Sequence, residues 1–151
     1  MKLKPSLSAA QNARTVLPKL ARAYFKAGRK AIDGRVPAEK LHKFRLATKR
    51  FRYSLELFQP LYGPSMTRYL KLLRELQSAL GDISDLQSIQ VVMADHAAVK
   101  RAAARLVKGK VKDLRRVWRA FDAEGASERW RAYLAGDKPA TRTARKSAAA
   151  N

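Results

Sequence analysis

The chain has no cysteine, which excludes a disulfide framework and any thiolate metal site. Two histidines without cysteine are too few for the usual structural zinc sets. Acidic residues are scarce, with twelve Asp and Glu against thirty-three Lys and Arg, for a formal net charge of +21. No apolar run approaches the roughly 20 residues needed to span a bilayer. The start, MKLKPSLSAAQN, is basic but lacks the apolar stretch of a signal peptide, so a cytoplasmic protein is expected. There is no Gly-rich phosphate loop, no nucleophile beside a base, and no pair of carboxylates at metal-ligand spacing. An enzyme acting on phosphates would normally hold Mg²⁺ with carboxylates. Only Asp82, Asp85 and Asp95 gather in one segment, and two of them read as helix caps. The expectation is a protein without catalysis and without a cofactor.

What is present is charge in register. Arg101, Arg105, Lys108, Lys112, Arg115 and Arg119 follow one another at spacings of four, three, four, three and four. On a helix all six fall within about 80° of arc over about five turns. No acid interrupts them. Like charges at i,i+4 repel, so a purely cationic stripe costs stability unless something anionic lies along it. A charge this large bears on partners rather than on fold. Nucleic acid, inorganic polyphosphate and anionic surfaces all fit it.

At 151 residues, 46% of them apolar, the chain is long enough for one domain with a real core. No segment alternates as a strand does, and the apolar residues recur at helical spacing. A first helix is expected from about Ala13 to Asp33, with Pro18 in its first turn or at a kink. A second is expected from Pro37 to about Tyr62, and a third from Ser65 to Leu80, ended by Gly81. The fourth opens with Asp82 as N-cap. The fifth, capped by Asp95, runs from about His96 to Asp122. Its expected apolar face is Val99, Ala103, Leu106, Val107, Leu114, Val117 and Phe121. A short amphipathic piece covers Ser127 to Ala135. This predicts an all-α antiparallel bundle of about five to six helices over residues 1–135, followed by a basic disordered tail over 136–151.

In the second helix Phe44, Phe51, Leu55 and Phe58 cluster within roughly 60° and read as core. His42, Arg45, Lys49, Arg52 and Tyr53 form another line, centred roughly 120° away. Such a line borders the core and flanks a groove, where partial desolvation strengthens anion binding. Glu56, at i,i+4 from Arg52, is placed to hold that guanidinium.

The segments LHKFRLATKRFRYSLELFQPLYG and YLKLLRELQSALGDISD resemble the CHAD family, the conserved histidine alpha-helical domains. The resemblance lies in His42, Arg45, Lys49, Arg52 and Tyr53, then Leu76, Gln77, Leu80, Gly81 and Asp85. It covers about residues 41–90 and looks like a single helical unit, the second of the two that family members usually contain. It implies a helical domain that binds inorganic polyphosphate through a central basic surface, and it places contacts on His42, Arg45, Lys49 and Arg52. Some family members sit on polyphosphate granules, which makes a granule location an expectation here. Combined with the stripe, the expected contact set is His42, Arg45, Lys49, Arg52, Tyr53, Arg101, Arg105, Lys108, Lys112, Arg115 and Arg119. The alternative is a nucleic-acid-binding protein, associated with ribosome or nucleoid, supported by the total charge and the basic tail. Nucleic acid is held as the secondary partner and a membrane is not expected. A homodimer is an expected means of supplying the missing unit.

Overall fold

The computed structural model describes residues 2–33 and 36–136. These are all-helical. The helices are α1 (Ala9–Ile32), α2 (Ala38–Phe58), α3 (Ser65–Val92), α4 (Ala97–Phe121) and α5 (Ala126–Ala135), with a 3-10 turn, Gln59–Leu61, after α2. The tail expected over 136–151 lies outside the described residues apart from Gly136.

Three boundaries differ from the sequence reading. α1 begins one turn earlier, at a capping box. The Ser8 hydroxyl accepts from Gln11 N–H, and the Gln11 side chain accepts from Ser8 N–H. Pro18 is therefore interior to α1, where its ring removes the donor that would reach back to Arg14. The expected third and fourth helices are one. Gly81 has no positive φ, and α3 runs through it to Val92. Asp82 is thus no N-cap; its carboxylate accepts from Lys110 Nζ on α4 at 2.7 Å. Asp95 does not cap α4 either. That position is His96, and no side chain caps it. Apolar periodicity on both sides of Gly81 made helix the cheaper path, at roughly 1 kcal/mol relative to Ala.

The first four helices form a ring in chain order, with α1 on α2, α2 on α3 and α3 on α4. The ring is closed where the C-terminal half of α4 meets the end of α1. Gly28 on α1 lies against the Trp118 indole. The Arg29 guanidinium grips the Asp122 carboxylate, with N···O distances of 2.8 and 2.7 Å. α5 packs on α1 and plugs one end of the ring. Its Trp130 meets Phe25, Phe51, Tyr69 and Phe121. Tyr62 OH donates to the Leu134 carbonyl at 2.6 Å, and Tyr133 stacks on Tyr69 at 4.5 Å between centroids. Burial pushes the Tyr133 hydroxyl up to about 12, with help from neighbouring Tyr69 and Tyr62. Inside the ring, Tyr24 OH and Thr48 Oγ1 join α1 to α2 at 3.1 Å, and Thr48 donates to the Phe44 carbonyl.

The core does not extend along the whole of α3 and α4. Its buried members stop at Ile83 on α3 and resume at Leu114 on α4. Between them the two helices form an antiparallel arm. Ala103 is buried there, while Val91 to Lys100 are all exposed. Val99 and Leu106, expected on the apolar face of α4, are exposed on this arm, because no third helix covers it.

Candidate polyanion-binding surface

The line expected on α2 lies along the seam between α2 and α3. Arg52 fixes that position, since its Nε donates to Gln77 Oε1 on α3 at 2.9 Å. Its Nη1 pairs with Glu56, which also receives Arg74 Nη2 at 3.3 Å. The Arg52 guanidinium carbon sits 4.4 Å from the centre of the Tyr53 ring. The guanidinium is thus braced on three sides, and its side chain is only 13% exposed. Arg52 orders the seam more than it offers a free cation. Tyr53 is exposed under it.

His42, Arg45 and Lys49 complete the line. His42 is exposed, and Arg45 and Lys49 are partly buried. The Arg45 Nε is buried and has no hydrogen-bond partner. Leaving a buried donor unpaired costs about 1–3 kcal/mol, and more for a charged group. Antiparallel packing, with Arg52 opposite Gln77, carries Arg45 to the stretch of α3 around Ser84 and Asp85. The sequence reading missed that Arg45 carries a buried Nε without a partner; nothing in helical spacing distinguishes it from Lys49.

The α4 stripe lies elsewhere. Arg101, Arg105, Lys108, Lys112 and Arg119 are exposed, and Arg115 is partly buried. Arg115 Nε donates to the Ile32 carbonyl at 3.4 Å, satisfying a carbonyl at the end of α1. Arg115 and Arg119 join Arg29, Ile32, Asp33 and Trp118 around an open depression of about 580 Å³. Only the C-terminal end of the stripe, Arg115 and Arg119, borders α1. Arg101, Arg105 and Lys108 continue along the uncovered arm, and the structure does not bring the stripe together with the α2 line. Among the described residues no three His or carboxylate side chains gather as a metal site would require. No helix among them is long and apolar enough to cross a membrane.

The CHAD domain model matches residues 1–94. The chain belongs to the CHAD domain family. The match takes in α1, α2 and all of α3, and so contains the whole α2–α3 seam. It ends before α4, so the stripe lies outside the matched part of this CHAD domain. Comparison with curated proteins and with solved structures finds no match. CHAD domains are associated in general with polyphosphate binding.

Proposed function

We propose that this CHAD domain binds inorganic polyphosphate without catalysis, seating phosphates along the α2–α3 seam. The observation that carries the reading is Arg45. Its buried Nε lacks a partner, and it stands between His42 and Lys49 in a member of this family. A phosphate oxygen reaching that N–H makes a charge-assisted hydrogen bond, roughly twice as strong as a neutral one. Lys49 and His42 then meet the flanking phosphates as point charges. An unbranched polyanion without bases asks for cations in a line and nothing more.

The nucleic-acid reading lacks a stacking surface. Of the aromatic side chains, Tyr53 alone is exposed, and Arg52 covers its ring. Sequence-tolerant binding of single strands relies on such stacking, at about 1–3 kcal/mol per base. Labelled long-chain polyphosphate, challenged at near-physiological salt with duplex DNA, single-stranded RNA and heparin at matched charge, is expected to resist all three. Equal displacement by RNA would transfer the assignment to nucleic acid. Low salt alone does not discriminate, because counterion release strengthens every such complex.

The same reading includes a second copy of the chain as partner, on the arm. Ile89, Val91, Val92, Met93, Val99 and Leu106 are exposed there. The stretch from Asp82 to Val99 has no Lys or Arg in a chain of +21. Two copies repel least along that stretch, ahead of Arg101 and Arg105 where the stripe begins. Light scattering during size exclusion is expected to show a dimer that strengthens with salt, as screening shortens the repulsion, and that weakens in Val92→Glu. A monomer at every salt concentration would remove the dimer from the reading.

A further inference from the structure

The ring order sets the two cationic lines on different sides of the molecule. α2 packs against α1 and α3, while α4 packs against α3 and touches α1. The α2–α3 seam and the α4–α1 border at Arg115 and Arg119 are therefore diagonal to one another, and the rest of the α4 stripe runs on along the arm, away from α2. Arg52 bonded to Gln77 marks the first, and Arg115 bonded to the Ile32 carbonyl marks the second.

Glu56 holds Arg52 on the α2 line; four other carboxylates go to cations off both lines. Asp82 takes Lys110, Asp113 takes Arg116, Asp122 takes Arg29, and Glu39 takes Lys43. Lys110, Arg116, Arg29 and Lys43 all lie off the two lines. Among the described residues no carboxylate pairs with Arg101, Arg105, Lys108, Lys112 or Arg119, nor with Arg45 or Lys49.

We infer that the chain carries two separate polyanion tracks, one on the α2–α3 seam and one on α4, and so bridges two polyphosphate strands. This rests on the polyphosphate reading above and extends it to a cross-linking function. A helix with its side chains is about 10–12 Å across, so the outer faces of two stacked helices stand about 20 Å apart. The Debye length near physiological salt is about 8 Å. A strand on one track therefore leaves most of the field of the other in place, and both are filled together. The tracks are unequal. The seam, with the buried and unpartnered Arg45 Nε, is the tighter. The α4 track is solvated, screened and weaker.

The test uses the full chain and polyphosphates of two lengths. A short chain, with an extended length below about 20 Å, cannot span the helical layers. Calorimetry of the native protein with it is expected to show two unequal binding steps. Long-chain polyphosphate is expected to be cross-linked, seen as a sharp rise in light scattering near charge equivalence. Arg105→Gln with Lys108→Gln and Lys112→Gln is expected to keep the tighter step, lose the weaker one and abolish the scattering rise. Lys43→Gln with Arg50→Gln and Arg116→Gln removes the same charge off the tracks and is expected to behave as the native protein does. Unchanged cross-linking by the α4 variant would overturn the two-track inference and leave the seam intact. Equal loss of cross-linking in both variants would also overturn it, by making total charge the cause. Failure of the native protein to bind either polymer would overturn the polyphosphate reading and this inference with it. Helicity by circular dichroism accompanies each variant; all six positions are solvent-facing.

Discussion

Replacing Arg45 and Lys49 by Gln is expected to weaken the tighter polyphosphate-binding step by roughly a hundredfold or more, from about 1.5–3 kcal/mol for each hydrogen bond to a charged group. The matched pair Lys43→Gln with Arg50→Gln removes two charges from the same helix. It is expected to change that step by no more than about threefold, the scale of a screened surface charge. The contrast separates a site from bulk charge. Lys43 is exposed and already holds Glu39, whereas Arg45 offers a buried N–H that nothing else on α2 or α3 meets. Equal losses in the two pairs would show that net charge alone binds the polymer. Arg52 is a poor choice for this experiment. Removing it would leave Glu56 with Arg74 alone and would break the Arg52–Gln77 bond that joins α2 to α3. Calorimetry with a short polyphosphate reads the step directly, and the α4 track persists in both variants.

Gly28→Ala is expected to destabilise the fold, against the usual trend. In a helix interior this substitution normally gains about 1 kcal/mol. Here a Cβ would stand 2.0 Å from Trp118 Cη2, 2.4 Å from Cζ2 and 2.6 Å from Cζ3. The indole cannot retreat. Its ring meets Tyr24, Phe25, Phe44 and Phe121 at centroid distances of 6.1, 6.1, 5.3 and 5.4 Å. Overpacking of this kind costs about 1–3 kcal/mol and here outweighs the propensity gain. Trp118→Ala, which leaves a cavity at the same contact, is expected to cost about 3–5 kcal/mol. For a domain of this size each kcal/mol moves Tm by about 2–4 °C. Combining Gly28→Ala with Trp118→Leu makes the coupling visible: the cost of Gly28→Ala should vanish once the ring is gone. A stabilising Gly28→Ala in the native background would mean that α1 and α4 do not close the ring at this point.

That contact also separates what one dimension of information carries from what it does not. Helical class, the core aromatics Phe44, Phe51 and Phe58, the pairing of Arg52 with Glu56 and the family resemblance were all legible in the sequence. The first three are properties of residues within one or two turns of one another, or of spacing along one helix, and the resemblance is a property of residue order. The capping box Ser8–Gln11 was legible too, as a Ser followed three residues later by Gln. Reading the start of α1 at Ala13 overlooked it. Gly81 misled because a glycine between periodic segments marks either a helix end or a tolerated interior site, and only its φ decides.

The chain by itself determined a basic, all-helical member of the CHAD family with two cationic lines, because helical registry and composition are local. Only the tertiary structure decided how those lines relate. Which seam a helix face borders depends on the neighbours it packs against, and those contacts join residues far apart in sequence, as Arg52 to Gln77, Arg115 to Ile32 and Gly28 to Trp118. The same long-range packing buried Arg45 Nε and left the end of the α3–α4 arm without a cover. Burial is a sum over all neighbours, and spacing along one helix does not contain it.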